Sequence, residues 1–374
     1  MSRNDVPDNF PRLKKNSNIL VALSGGVDSA VAAALLQQWG CRVTGIIMKI
    51  WDGDYLPGRA AEKCRPACFG PEEERDVEDA REVCRQLGIP FLTVDLREEY
   101  RRLILDYSRR EYGLGRTPNP CVRCNRLLKF KAILDLAVAG GVVFDFFATG
   151  HYVRSEHDRQ EGLFRLIKAR DRSKDQSYFL YSLTQKQLAS CVFPLGDLQK
   201  TEVRAIARSL KLLVAEKEES QDFVAGGLPW LLQGQGEPGP IIDEKGHTLG
   251  RHSGIAYFTI GQRHGLGLTS AEPLYVTRLD RAGNAVQVGK REALFSDHLE
   301  ASAVHWIVLP GPLPGASLKA RIRYHHAEAE ARVFPRPNGR MRVEFAEAQL
   351  AITPGQSVVF YQNDEVLGGG TIDE

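Results

Sequence analysis

The feature that most restricts this chain is a six-residue turn, Ser24-Gly-Gly-Val-Asp-Ser29, set between an apolar run and a helical run. Residues 18–23 (NILVAL) have the length and unbroken apolar character of a strand buried on both faces, as in parallel sheets. Residues 30–39 (AVAAALLQQW) are mostly strong helix formers, and Gly40 stands where a helix stops. The alternation continues with a strand at 43–50 (VTGIIMKI), a charged helix at 72–87 ended by Gly88, and a strand at 90–95 (PFLTVD). Helices at 97–112 and 126–139 and a strand at 142–149 (VVFDFFAT) follow. Parallel neighbours need crossover connections, so this order predicts an α/β domain with a parallel, doubly wound sheet.

Two adjacent glycines let the backbone turn tightly and approach a phosphate, while the N–H groups of the following helix point at it. Ser24 and Ser29 add hydroxyl donors, and Asp28 can hold a magnesium ion on a pyrophosphate. No Lys follows the glycines, which excludes a Walker A loop. The spacing also excludes the G-x-G-x-x-G dinucleotide fingerprint. SGGVDS instead resembles the PP-loop of ATP pyrophosphatases, which cleave ATP to AMP and pyrophosphate while adenylating a substrate.

A second concentration of chemistry lies at 116–131 (RTPNPCVRCNRLLKFK). Two prolines and an asparagine fix a loop, and Cys121 and Cys124 follow where a helix begins. Thiols there, near Arg123 and Arg126, are expected to have a lowered pKa and to act as nucleophiles. A buried structural pair and half of a zinc site are the competing readings. Cys41, Cys84 and Cys191 lie in apolar or helical stretches and read as core.

A chain of 374 residues accommodates two or three domains. Beyond about residue 213 the pattern changes: Gly and Pro crowd 226–240, and short strands follow at 257–260 and 274–277. Strands at 304–308, 318–324, 331–334, 341–345 and 357–361, separated by Pro/Gly turns, predict a small antiparallel β-barrel or sandwich. The expected division is an ATP-binding catalytic domain at 1–212, a mixed linker domain at 213–295 and a barrel at 296–374. The net charge of +2 conceals two basic blocks. Residues 97–131 hold ten Lys/Arg against four Asp/Glu, and 319–342 hold seven against two, with His325 and His326 beside them. Charge alone fits either solvated faces or a phosphate-backbone footprint. No window approaches 18 apolar residues, the N-terminus carries no apolar leader, and the seven cysteines are odd in number and clustered. A cytoplasmic protein with no membrane partner is expected.

The segments TPNP-x-x-x-CN with LKFK, ATGHYVR (148–154), KDQSYFLY (174–181), IGQRHGLGL (260–268) and ITPGQSVVFY with LGGG (352–370) occur in a telling order. With the PP-loop they closely resemble the tRNA-specific 2-thiouridylase family, from about residue 17 to 372. The resemblance implies that ATP adenylates O2 of a wobble uridine and that a protein-bound persulfide then attacks C2, expelling AMP. It implies ATP contacts at Ala22, Leu23, Ser24, Gly25, Gly26, Val27, Asp28 and Ser29, with Met48 and Gly150 on the adenine side. Asn119, Pro120 and Cys121 would adjoin the target base, and Cys124 falls at the nucleophile position. Contacts to tRNA are implied at His151, Lys174, Asp175, Gln176, Arg323, Tyr324 and Gln356. The implied partners are tRNA and a sulfur donor, either a protein or sulfide, and not DNA. Arg323 lies in the second basic block, so charge and resemblance agree on a nucleic-acid footprint.

One departure affects the sulfur chemistry. Relatives commonly carry a second active-site cysteine in a segment like S-Q-D-x-C-F, whereas 220–224 (SQDFV) put Val224 in that place and 225–228 (AGGL) diverge as well. Valine cannot carry sulfur. Cys121, where many relatives have Asp, is the expected compensation. In a thiol route, Cys124 carries the persulfide and Cys121 resolves it. In a cluster route, Cys121 and Cys124 join Cys64 or Cys68 around a [4Fe-4S] cluster, with zinc as the further option. Cys124, Cys121 and Asp28 form the expected catalytic set. A PP-loop ligase acting on a small acceptor, or a tRNA-binding paralogue with altered sulfur transfer, are the alternative functions.

Overall fold

A computed structural model describes residues 6–7, 10, 12–53, 67–218, 222–234, 236–308 and 310–373. They fall into two compact units: residues up to 103 with 121–226 and 364–366, and residues 104–120 with 227–363 and 367 onward.

Along the first part of the chain run β1 (Asn18–Ala22), α1 (Val27–Gln38), β2 (Arg42–Lys49), β3 (Ala67–Phe69), α2 (Glu73–Leu87), β4 (Phe91–Asp95) and α3 (Arg97–Tyr100). Then come α4 (Asp106–Gly113), α5 (Pro120–Cys124), α6 (Ile133–Ala139), β5 (Phe146–Thr149), β6 (Val153–Asp158), β7 (Leu163–Lys168), α7 (Gln185–Ser190), β8 (Cys191–Val192), α8 (Lys200–Ser209) and β9 (Asp222–Val224). Residues Arg101–Leu105 and Asn125–Ala132 are π-helical and join α3 to α4 and α5 to α6.

In the first unit the parallel sheet has the order β4-β2-β1-β5-β8. Its strand order reverses at β1: Ala22 at the end of β1 is paired with Ile46 of β2 on one side and with Thr149 of β5 on the other. The crevice beyond these carboxyl ends is where open α/β sheets bind ligands. Helix α1 is buried on nearly every side. It contributes Ala33 and Leu36 to one core cluster, with Ile19, Val21 and Ala80, and Val27 and Val31 to another, with Tyr152, Val203 and Leu212. Its alanines suit that position, because small side chains let neighbouring elements close in from all sides. Helix α2 ends on Gly88 in the left-handed conformation (φ 64°), the stop read from the sequence.

The second unit continues with α9 (Gly227–Leu231), β10 (Gly239–Ile242), β11 (Thr248–His252), β12 (Tyr275–Asp280), β13 (Ala285–Gly289), β14 (Phe295–Trp306), β15 (Ser317–Arg321), β16 (Ala329–Pro335), β17 (Met341–Leu350), β18 (Ser357–Gln362) and β19 (Glu365–Ile372). Strands β11-β10-β13-β12 form a four-stranded sheet over Ile241, Val276, Val286 and Val288. Strands β14-β17-β16-β15-β18-β19 form the barrel, closed by the pairing of β14 with β19 around Leu299, Ala320, Val333, Val343 and Phe360. Closure removes the edges that an open antiparallel sheet would expose.

Three expectations change. The apolar stretch at 257–260 is no strand: residues Ile255–Tyr257 form a 3-10 turn, and the next strand is β12, starting at Tyr275. The helix expected at 126–139 begins six residues earlier, at Pro120, a residue suited to a first helical turn because its missing N–H would have no partner there. Strand β5 covers only the second half of 142–149. Among the described residues no helix is long and apolar enough to cross a membrane.

Candidate active site

The glycine turn is shaped by contacts that leave no room for a side chain. Gly25 has φ +68°, and a Cβ there would lie 2.5 Å from the Asp76 carbonyl oxygen. The Ser24 N–H donates to Ser29 Oγ (3.1 Å), and that hydroxyl donates to the Gly26 carbonyl (3.1 Å). Helix α1 starts at Val27, so Asp28 and Ser29 belong to its first turn, and no side chain caps it at Gly26. Uncapped first-turn N–H groups with the positive end of the helix dipole form an anion site. On the other side of the crevice, a Cβ on Gly150 would lie 2.7 Å from the Ser29 nitrogen, so the exit of β5 touches the turn directly.

A cavity of about 230 Å³ opens here, lined by Ala22, Leu23, Ser24, Asp28, Ser29, Met48, Gly150 and His151 together with Cys68, Glu73, Asp76, Lys129 and Gln176. Most of the expected nucleotide contacts therefore come together. Val27 does not line it but is buried in the core, and Gly25 and Gly26 shape the turn without lining the cavity.

Asp28 is not a lone carboxylate. Lys200 Nζ donates to its Oδ1 (2.7 Å) and Oδ2 (2.8 Å), and the Tyr152 hydroxyl donates to Oδ1 (2.8 Å). Sequence reasoning missed Lys200, which heads α8 and is 172 positions away. Nothing in local spacing marks it. Glu73, also unforeseen, is buried and accepts from the Ile50 (2.7 Å) and Trp51 (3.1 Å) N–H groups, and burial pushes its carboxyl up despite these bonds. Asp76 likewise rises through burial, although Lys217 bonds it at 2.7 Å. Burial, and next the Lys129 charge, push His151 down to about 3; its Nδ1 lies 2.8 Å from Thr149 Oγ1. It is a neutral hydrogen-bonding group at physiological pH. Gln176 accepts from the Tyr152 N–H through Oε1 (2.9 Å).

The thiols do not behave as expected. Burial is the largest influence on both, pushing Cys121 up to about 12 and Cys124 up to about 11. This holds although Cys121 is exposed as a residue and Cys124 half-buried. The expected lowering by arginines fails for a geometric reason: Arg123 spends its Nε–H on the Leu103 carbonyl (2.6 Å), and Arg126 is exposed. Lys129 is the cation that faces the thiols, and Cys124, Cys68 and Cys121 hold its own pKa up against burial. Cys41, Cys84 and Cys191 are buried, as the sequence suggested. Val224 is buried too. Among the described residues no group of three or more His, Cys, Asp or Glu side chains is placed to hold a metal ion. The zinc or iron–sulfur set of Cys121 and Cys124 with Cys68 is therefore not assembled, and Cys64 lies outside the described residues.

Several expected tRNA contacts have structural partners. Asp175 is buried and accepts from the Ala169 N–H (2.9 Å) and the Ser177 hydroxyl (2.7 Å). Lys174 beside it is half-buried. In the second unit, Gln356 Nε2 donates to the carbonyls of Thr117 (2.9 Å) and Pro118 (3.2 Å), holding the loop that carries Asn119 and Pro120. Arg323 donates through Nη2 to the carbonyls of Ala351 (2.9 Å) and Ile260 (3.3 Å) and to the Thr353 hydroxyl. The Tyr324 ring packs on His325 and lies 5.4 Å from the Arg321 guanidinium.

Residues 17–225 match the model of the tRNA methyl transferase HUP domain, 232–290 that of the tRNA methyl transferase PRC-barrel domain, and 296–372 that of the aminomethyltransferase beta-barrel domain. The chain is 46% identical over 366 residues to the tRNA-specific 2-thiouridylase MnmA of Geotalea uraniireducens, covering 96% of each. It is 44% identical to that of Endomicrobium trichonymphae (96% of this chain, 100% of the relative) and 47% identical to MnmA 1 of Syntrophus aciditrophicus (97% and 94%).

Proposed function

The chain belongs to the tRNA-specific 2-thiouridylase family, and from that membership we propose that it catalyses ATP-dependent 2-thiolation of uridine in tRNA. One observation carries the reading at the level of chemistry: a phosphate-binding turn and a thiol, Cys68, line one cavity beside an ammonium group, Lys129. Exchanging a carbonyl oxygen for sulfur needs both. The oxygen must first become a leaving group, and a sulfur nucleophile must then attack the carbon.

The first-turn N–H groups of α1 and the hydroxyls of Ser24 and Ser29 receive the phosphates, and Met48 and Gly150 flank the base. Uridine O2 attacks the α-phosphate, pyrophosphate departs, and the adenylated base is held for sulfur attack by Cys124. Asp28 is the carboxylate at the turn that would hold a magnesium ion; such sites need only one or two carboxylates because phosphates supply the remaining ligands. Bound there, the ion would offset charge on the phosphates. Lys200 neutralises Asp28 in its absence. An iron–sulfur cluster or zinc ion does not fit the described thiols, and no step is assigned to one. The tRNA lies along the basic blocks, with Asn119, Pro120 and Cys121 toward the target base and His151, Lys174, Gln176, Arg323, Tyr324 and Gln356 as further contacts. The sulfur comes from a persulfide-bearing protein or from sulfide.

The test is to incubate the protein with an unmodified tRNA transcript, labelled ATP and a persulfide donor. Pyrophosphate release that depends on tRNA, with 2-thiouridine in the digested RNA, is the expected result. Pyrophosphate release driven by a small acceptor with no RNA present would replace the reading with a ligase.

A further inference from the structure

We propose that Cys68 is the thiol that completes sulfur transfer, pairing with Cys124 where Val224 cannot. The inference rests on the thiolation reading and gives a step to Cys68, which that reading places in the cavity without assigning it one. Three observations place Cys68 there. It is the one cysteine that lines the nucleotide cavity among the described residues. It lies on β3, which pairs in parallel with β9, Ala67 opposite Asp222 and Phe69 opposite Val224, so Cys68 is level with Phe223 in the segment that carries Val224, on the opposite face of the strand from the buried Phe69 and Val224. It also shares its surroundings with Cys121, Cys124 and Lys129. Cys68 and Lys129 line the same cavity, and Lys129 follows Cys121 and Cys124 on the helical stretch that opens at Pro120; Tyr100, which donates to the Phe223 carbonyl (3.2 Å) and stacks on Phe69 (5.4 Å), lies within electrostatic reach of all three thiols.

The residue pair supports a balanced reaction. A persulfide donor leaves a sulfane sulfur on Cys124. Its terminal sulfur attacks C2 of the adenylated uridine, a C–S bond forms, and the C2–O2 bond breaks as AMP departs with the oxygen. The base is then joined to Cys124 through a disulfide. The Cys68 thiolate, its proton lost to water, attacks Cys124 Sγ and forms a Cys68–Cys124 disulfide. The released electron pair stays on the sulfur bound to C2, and N3 takes up a proton. The sulfane sulfur is reduced by two electrons and the two thiols are oxidised by two, so an external thiol reductant resets the enzyme. Lys129 stabilises each thiolate as it forms. Cys121, whose thiol is raised first by burial and next by Cys68, adjoins the pair without entering the exchange.

The experiment is a single turnover with the full-length protein, prepared anaerobically, an unmodified tRNA transcript, ATP and cysteine persulfide, followed by acid quench, alkylation and peptide mapping. The expected product in the unsubstituted protein is a Cys68–Cys124 disulfide formed in step with 2-thiouridine. Cys68→Ser should accumulate a protein–tRNA adduct, released by dithiothreitol, and form 2-thiouridine at least about tenfold more slowly before reductant is added. A Cys121–Cys124 disulfide, 2-thiouridine formed with every cysteine still reduced, or normal turnover in Cys68→Ser would each overturn the assignment while leaving the thiolation reading intact. Absence of 2-thiouridine from the unsubstituted protein would overturn both.

Discussion

At the residue scale the site is governed by pairings that cross long stretches of sequence. Asp28 meets Lys200 and Tyr152, so the turn's carboxylate is already paired with an ammonium group in the free protein. Asp28→Asn should lower tRNA-dependent pyrophosphate release by at least about 100-fold while leaving tRNA binding nearly unchanged, because only the turn's anionic group is removed. A steady-state assay of pyrophosphate with a parallel filter-binding titration separates the two. The thiols yield a pH prediction. With Cys124 held up at about 11, most of it is protonated at neutral pH, and only the thiolate is nucleophilic. Iodoacetamide labelling of the free protein should therefore accelerate about tenfold per pH unit between pH 7 and pH 10 at Cys124, followed by mass spectrometry. A plateau near pH 8 would mean that Lys129 outweighs burial.

At the element scale the arrangement depends on backbones packed too closely for a side chain. Gly25 combines a left-handed φ with the Asp76 carbonyl of α2, and Gly150 presses on the first turn of α1. Gly25→Ala should cost about 1–3 kcal/mol of stability for the strained conformation alone, with the clash adding to it. Calorimetry should show a lowered melting temperature, and ATP affinity should fall with it because the turn can no longer present its N–H groups. The cysteine-bearing helix follows similar logic. Starting at Pro120 rather than at 126 puts both cysteines of the C-x-x-C in the opening helical stretch, a turn ahead of Lys129.

At the scale of the molecule, the net charge of +2 is divided unevenly, with basic blocks at 97–131 and 319–342. Under the proposed footprint, binding of tRNA should weaken steeply with salt, through release of counterions from the phosphates that the blocks would neutralise. Arg323→Ala tests one member in two independent ways. Its Nη2 bonds should be missed, lowering the melting temperature by a few degrees, about 2–4 °C per kcal/mol lost in a domain of this size. If it also meets a phosphate, the slope of log affinity against log salt should fall by about one unit. An unchanged slope with a lowered melting temperature confines Arg323 to supporting the barrel unit.

Alternating strands and helices, the glycine turn and the turn-spaced strands of the barrel were legible in the sequence because each rests on local periodicity or on a residue with special backbone freedom. The glycine turn's place at the carboxyl end of β1 was legible for the same reason, and its use as a phosphate site is what the proposed function adds. Lys200 was hidden, since a carboxylate and an ammonium far apart in the chain announce no pairing, and Glu73 was hidden because its partners are the backbone N–H groups of Ile50 and Trp51. The raised thiol pKa values were hidden because they come from burial, with Lys129 rather than the adjacent arginines as the opposing cation. Arg123 bonds the Leu103 carbonyl, whereas Lys129, one helical turn on, faces the sulfurs. The placing of Cys68 level with Phe223 belongs to the same class: a strand pairing between residues more than 150 positions apart brings β3 to β9, and only the folded chain records it.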